Sequence, residues 1–204
     1  MLVLGTGLLA LGGCGPKVTV ESAWLAPGIQ ARPVQSVMVV GIARNAGLRG
    51  TYESLAAQTF GEHGASALRS LDVLPPSQAI TKEAVAQAIE GRDIEAIFAT
   101  RLLDVQTSQQ YVPPTTTSWG YPGYYRDFWG YYPAVSVAVM EPGYFVEVKT
   151  YLLESSLWNA TTGEIVWSAQ TSVVDPNKPA PAFERLMAKL VQELEAADLL
   201  APAP

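Results

Sequence analysis

The chain is poor in the side chains from which most catalytic sites are built. Its 204 residues contain one cysteine, Cys14, and one histidine, His63. A single cysteine excludes an internal disulfide and a cysteine-based metal site. One histidine and the absence of a GxSxG sequence exclude the usual nucleophile-base pairs. We therefore predict no catalytic residue, no metal ligand and no cofactor, and a protein that is not an enzyme.

Charge of either sign is also scarce. Charged residues make up 16% of the sequence, and the formal net charge is -6. Binding to nucleic acid depends on clustered lysine and arginine side chains that displace counterions from phosphates. The 13 basic residues are spread through an acidic chain. This distribution excludes nucleic acid from the expected partners.

Two local patterns could suggest chemistry but favour a structural role. Gly41, Gly47 and Gly50 lie between a predicted strand and a predicted helix, but their spacing fits neither GxGxxG nor GxxxxGK[ST]. We interpret them as a chain reversal. His63 precedes Gly64 at the end of that helix, where an imidazole favourably meets the carboxyl end of the helix. We predict that it caps the helix.

The amino terminus is a short apolar run followed by the cysteine. Residues 1–11 read MLVLGTGLLAL, too short for a membrane span of about 20 residues but suited to the hydrophobic part of a secretory signal. The sequence LGGC that ends at Cys14 resembles the lipobox of bacterial lipoproteins. The resemblance implies that residues 1–13 are a signal peptide and that acyl chains attached to Cys14 anchor the protein in a membrane. Gly15, where retention in the inner membrane would call for Asp, implies the periplasmic face of the outer membrane.

The mature chain divides into a tether and one domain. Residues 14–34 mix proline, glycine and isolated apolar residues without a helical period, so we predict the lipidated cysteine and an extended tether of at most roughly 60 Å. Residues 35–204 form one predicted α/β domain. Its first half alternates strands at 36–43, 67–74 and 94–105 with helices at 48–60 and 82–90. This β-α-β-α-β order predicts a largely parallel start to the sheet.

The carboxyl-terminal part predicts antiparallel strands and a closing helix. Strand-like runs at 145–158 and 164–174 are joined by NATTG, a suitable hairpin loop. An amphipathic helix is expected over 182–200. The fold class is therefore α/β with a mixed sheet (α+β), in the order β-α-β-α-β, hairpin and helix.

An insert over residues 106–143, between the third strand and the hairpin, is rich in tyrosine, tryptophan, proline and glycine. Residues 111–144 hold more than half of the chain's aromatic side chains. Tyrosine and tryptophan combine large apolar area with a polar group and are favoured at interfaces. We predict that the insert contacts a partner, while the rings could instead cover a sheet face or belong to a low-complexity segment. The predicted contact residues are Trp119, Tyr121, Tyr124, Tyr125, Phe128, Trp129, Tyr131 and Tyr132.

The whole pattern resembles an uncharacterised family of proteobacterial lipoproteins. The residues that carry the resemblance are the lipobox, Trp24, VVGI at 39–42, SLDVLP at 70–75 and LWNATTGEIVWS at 157–168. The element order is similar to the amino-terminal domain of TolB, which the curli-secretion lipoprotein shares. This resemblance concerns the fold and does not determine the function.

We therefore predict a non-enzymatic lipoprotein of the cell envelope that acts as a binding or assembly module for an envelope protein or peptidoglycan. The alternative is a small-ligand-binding or enzymatic module. It would use a cleft between the loops after the first and third strands, beside the aromatic insert. The sequence leaves the oligomeric state open.

Overall fold

The computed structural model describes residues 16–74, 80–113, 143–174 and 178–204. Within these ranges the chain forms one mixed sheet and three α-helices, which confirms the predicted fold class. The elements in chain order are β1 (Lys17–Leu25), β2 (Ser36–Ile42), α1 (Ala46–Glu62), β3 (Ser66–Arg69), a 3-10 turn (Ser70–Asp72), α2 (Lys82–Ile89), β4 (Ala96–Val112), β5 (Tyr144–Asn159), β6 (Ile165–Val174) and α3 (Pro179–Ala196).

The six strands follow the spatial order β1-β6-β5-β4-β2-β3. β2 lies between β3 and β4 and pairs with both in parallel. Its run of Val37, Met38, Val39 and Val40 is buried at every position, because helices cover both faces of a parallel strand. The β-α-β-α-β half therefore folds as the alternation of elements predicts.

The two faces of β2 belong to different cores. Val37 and Val39 pack with residues of α1 and α3, whereas Met38 and Val40 pack with residues of α2. Successive side chains of a strand point to opposite faces, so α1 and α3 cover one face of the sheet and α2 covers the other.

The predicted hairpin of β5 and β6 is antiparallel, with its turn at residues 159–163. The Asn159 side chain accepts hydrogen bonds from the backbone N–H groups of Thr161 and Thr162, and Gly163 has a φ of 72°. Glycine adopts this left-handed conformation without the steric cost that a Cβ would bring. The NATTG sequence thus specifies the turn.

The structure differs from the predicted tether over residues 14–34. Lys17–Leu25 forms β1, which pairs antiparallel with β6 at one edge of the sheet. Val18 and Val20 pack against the core shared by α1 and α3. The alternation of apolar and polar residues in KVTVE suits an edge strand, but its partner lies about 150 residues further along the chain, beyond the reach of local pattern analysis.

By compactness the chain divides into two units, Met1–Val105 with Thr150–Pro204, and Gln106–Lys149. The predicted insert 106–143 begins inside β4, which continues to Val112. In the second unit the rings of Tyr111 and Phe145 lie 5.1 Å apart, and the Ser108 hydroxyl donates to the Val148 carbonyl at 3.4 Å. The described helices include none with the length and apolarity that crossing a membrane requires.

Candidate functional site

The first unit contains an apolar cavity of about 270 Å³ at the carboxyl end of β2. The strands contribute Gly41, Ile42, Thr100, Leu102, Leu153 and Val173 to its lining, and the helices contribute Leu48, Arg49, Tyr52, Ala182, Phe183 and Leu186. The rings of Tyr52 and Phe183 meet edge to face at a centroid distance of 5.5 Å, and this contact joins α1 to α3 at the cavity wall. The site is thus built within one unit from the sheet and from the two helices that cover one of its faces.

The topology of the sheet places a crevice at this position. α1 follows β2 on one face of the sheet, and α2 leads into β4 on the other face. Ligands of open α/β sheets bind at such a switch point, outside the carboxyl ends of the strands. The cavity lies between the end of β2, at Ile42 and Ala43, and residues 100–102 in the middle of β4. The cleft predicted for the ligand-binding alternative lay between the loops after the first and third strands; the cavity adjoins the first of these loops but reaches the middle of β4 and not the loop after it.

Close approach of α1 to β2 depends on Gly41. A Cβ built at this residue would lie 3.2 Å from Cδ1 of Tyr52 and 3.4 Å from Cγ of Arg49. These distances are tighter than ordinary van der Waals contact. A side chain here would push α1 away from the sheet and change the cavity wall.

Three hydroxyl groups form a buried chain beside the cavity. The Tyr52 hydroxyl lies 2.5 Å from that of Thr100, which lies 2.8 Å from that of Ser155. Burial raises the pKa of Tyr52 well above that of a free phenol, while the hydrogen bond to Thr100 partly offsets this effect. The phenol is therefore neutral at physiological pH. It anchors α1 to β4.

A buried ion pair lies on the other side of Tyr52. Nε of Arg49 donates to Oε1 of Glu53 at 2.9 Å, and Nη2 of Arg49 donates to the Ser70 hydroxyl at 2.6 Å. Glu53 also accepts from the Ser70 hydroxyl at 2.5 Å and from the N–H groups of Gly41 and Leu71 at 2.9 Å. The Glu53 carboxylate, fully buried, thus receives four donors. This network joins the end of β2, α1 and the 3-10 turn.

The polar side chains around the cavity are engaged with one another. Arg49 pairs with Glu53, Tyr52 with Thr100, and Arg101 at the rim with Glu154 at 2.5 Å. What the cavity offers a ligand is apolar surface. Its rim carries exposed aliphatic side chains: Ile42 is 47% exposed and Leu102 is 48% exposed. The arrangement suits binding of an apolar group.

The amino-terminal end of the described chain lies close to the cavity. Lys17 is paired with Val174, and Nη1 of Arg185 on α3 donates to the Pro16 carbonyl at 3.2 Å. Val173 and Ala182, which neighbour these two contacts, line the cavity. The first described residues therefore lie beside the cavity wall.

The residues predicted as functional from the sequence are Cys14 and the aromatic set from Trp119 to Tyr132. They lie outside the described residues. His63 is the carboxyl-terminal cap residue of α1, as predicted. Its Nδ1 lies 2.9 Å from the Ala201 carbonyl oxygen and 3.2 Å from Oε1 of Glu195. It does not line the cavity.

Sequence patterns did not identify the individual cavity residues. Tyr52 and Leu48 were recognised only as apolar positions of a helix, and Thr100 only as part of a strand. The signal that pointed near the cavity was the loop predicted after the first strand. The described ranges contain no group of three or more His, Cys, Asp or Glu side chains that could hold a metal ion.

Comparison with known proteins gives likenesses of low identity. No protein-family model and no curated protein matches the chain. A variant of the PelC dodecamer from Paraburkholderia phytofirmans is 13% identical with a TM-score of 0.46, covering 92% of this chain and 99% of that one. A second crystal form of that dodecamer is 15% identical with a TM-score of 0.46, covering 87% and 97% of the two chains.

The lipoprotein GNA1162 from Neisseria meningitidis is also similar in structure. It is 15% identical with a TM-score of 0.44, covering 80% of this chain and 99% of that one. The similarity to the TolB amino-terminal domain stays a prediction.

Proposed function

We propose that this protein is a non-catalytic binding or assembly module of the cell envelope, anchored through Cys14 at the periplasmic face of the outer membrane. The observation that carries the proposal is that the polar side chains at the cavity form hydrogen bonds within the protein. Arg49, Tyr52 and Arg101 each have a hydrogen-bonding partner within the protein. Such groups hold the site in shape, and the apolar surface that remains favours binding over chemistry.

The position of the folded domain supports the anchor. The Pro16 carbonyl accepts a hydrogen bond from Arg185 of α3, and β1 starts at Lys17. At most two residues therefore separate the domain from Cys14. Two residues span at most about 7 Å. A lipid on Cys14 would therefore hold the cavity edge next to the membrane surface, in place of the longer tether that the sequence predicted.

The partner that we propose is an envelope protein or peptidoglycan. The contact set in the insert, from Trp119 to Tyr132, supplies the aromatic side chains that interfaces favour. With the domain held close to the membrane, this surface would meet partners in the outer membrane or the adjacent cell wall.

The experiment is cross-linking in intact cells followed by mass spectrometry. The intact mass of the mature protein is measured first, and acylation of Cys14 is expected. A variant in which the eight aromatic residues of the contact set are replaced by serine should lose the cross-linked partner. Trp24→Ser, which removes an exposed ring outside the insert, should retain it. Retention of the partner by the eightfold variant would rule out the insert as the contact surface.

The ligand-binding alternative is favoured by the cavity at the switch point. It is tested with an environment-sensitive apolar dye. Saturable binding should be lost in Ala43→Trp, which fills the rim from an exposed position, and kept in Ala188→Trp, at an exposed residue of α3 that does not line this cavity. Equal binding by the two variants would mean that the dye binds elsewhere.

A further inference from the structure

The cavity and the amino-terminal end of the domain share one wall. Val18 pairs with Val173, and directly opposed residues of antiparallel strands point to the same face of a sheet. Val173 lines the cavity, so Val18 lies beside its wall. On the helical side, Ala182 and Leu186 line the cavity, while Arg185 between them holds Pro16. The first residues of β1 thus run along the cavity.

The lipid that the sequence implies on Cys14 has the reach to enter this cavity. Cys14 precedes Val18 by four residues, a span of at most about 14 Å. Neighbouring strands are about 4.8 Å apart, so Val173 lies one strand spacing further. An acyl chain spans half of a hydrocarbon core of about 30 Å, which is about 15 Å. The length of an acyl chain on Cys14 is therefore comparable with the distance from Cys14 to the cavity wall.

The shape and chemistry of the cavity fit one acyl chain. Its volume of about 270 Å³ is just below the range of about 300–1,000 Å³ that is usual for drug-sized ligands, so it suits a slender group. Leu153, Phe183 and Leu186 provide apolar walls, and the guanidinium of Arg49 is already paired with Glu53. The exposed side chains of Ile42, Leu48 and Leu102 continue the apolar surface outward from the rim.

We propose that one acyl chain of the lipid on Cys14 occupies this cavity whenever the protein is outside a bilayer. Inside a bilayer the chain is already away from water, and the cavity gives it no hydrophobic gain. In aqueous surroundings each methylene group that enters the cavity leaves water, which is favourable. The covalent link makes the event intramolecular, so this chain outcompetes free lipid through its effective concentration. The inference rests on the anchor at Cys14 in the proposed function.

Photo-cross-linking tests the occupant. Cells are fed a palmitate analogue that carries a diazirine at its terminal carbon, and the full-length protein is purified in mild detergent. It is then diluted below the micelle-forming concentration, irradiated and digested. The expected product joins the peptide that carries Cys14 to peptides that contain Leu153 or Phe183. In Ala43→Trp its yield should fall at least tenfold, while Ala188→Trp should match the unaltered protein.

Each other outcome overturns the inference. A phospholipid attached to the cavity peptides would assign the cavity to bilayer lipid, and cross-links confined to other peptides would leave the cavity without the Cys14 chain. Unchanged yield in Ala43→Trp would mean that the chain reaches those peptides without entering the cavity. The mass of the amino-terminal peptide distinguishes failure of the proposed anchor from failure of this inference alone. An unacylated Cys14 removes the proposed anchor as well, whereas an acylated Cys14 that cross-links elsewhere removes only this inference.

Discussion

Arg49 and Glu53 lie one turn apart on α1 and form an ion pair of 2.9 Å that is almost completely buried. Their side chains are 5% and 0% exposed. The pair does more than neutralise two charges, because Glu53 also binds the backbone of Gly41 and Leu71. It therefore sets the position of α1 relative to β2, and with it the wall of the cavity.

Removal of one partner of this pair should be costly. Glu53→Ala leaves the Arg49 guanidinium buried without a counterion and is expected to lower the free energy of unfolding by about 3–5 kcal/mol. The double variant Arg49→Met, Glu53→Leu should lose less than the single change, since no unpaired charge remains. Urea unfolding measures both. Glu62→Ala, which removes an exposed acceptor of Gln58 on the same helix, should stay within about 0.5 kcal/mol.

Because Tyr52 is buried in its protonated form, we predict that the protein loses stability at alkaline pH. Its pKa is raised above the unfolded value of 10.0, chiefly by burial, so the folded state keeps its proton where the unfolded state has lost it. This contribution is fully present below pH 10 and is lost as the pH rises above 10 toward the higher folded pKa. Thermal unfolding between pH 9 and pH 11.5 should show a shallower loss of stability in Tyr52→Phe. Tyr111→Phe, at a half-exposed ring, should follow the unaltered protein. Parallel pH profiles for all three would contradict this account.

Thr171 offers a stabilising substitution. Its side chain is completely buried, and its hydroxyl has no hydrogen-bonding partner within the described residues. A buried hydroxyl without a partner costs about 1–3 kcal/mol. Thr171→Val keeps the branched shape and should raise the free energy of unfolding by about 1 kcal/mol in urea titrations. A decrease would mean that the hydroxyl has a partner, such as an ordered water.

The edge strand β1 is tested by two substitutions on its opposite faces. Val20 packs against the core of α1 and α3, whereas Thr19 is exposed. Val20→Asp should destabilise the domain by about 1–3 kcal/mol, because a carboxylate replaces a partly buried aliphatic group that packs on the core. Thr19→Asp should have an effect below about 0.5 kcal/mol. Equal and small effects of the two changes on chemical denaturation would contradict the strand assignment and favour the extended tether that the sequence predicted.

Local chemistry explains which parts of the fold the sequence predicts well. The buried run of β2, the cap residues of α1 and the NATTG turn act within a few residues, so their patterns are visible without the structure. Thr81, the residue before α2, accepts a hydrogen bond from the N–H of Ala84 at 3.2 Å, as an N-cap residue does. The 3-10 turn Ser70–Asp72 ends β3 earlier than expected, because Ser70 turns its hydroxyl to Glu53.

The features missed are those made by distant residues. Glu53 reads as a polar position on a helix, and only the fold brings Ser70 and the N–H of Leu71 to it. Thr100 and Ser155 belong to strands that are far apart in sequence and meet only through the sheet. The strand order predicts a cleft beside the loop after β2, whereas the extension of the cavity to the middle of β4 and its apolar lining could not be predicted. That lining requires α3 to pack on β6, and no periodic pattern records such a contact.

The pairing of β1 with β6 also constrains the order in which the protein forms. Glu21 accepts a hydrogen bond from Ser172, 151 residues later, so the strand nearest Cys14 has no partner until almost the whole chain has been made. Closing so long a loop is slow relative to the local contacts of the helices. Addition of β1 to the edge of the sheet is therefore expected to be a late step of folding, after the helices and the hairpin of β5 and β6 have formed.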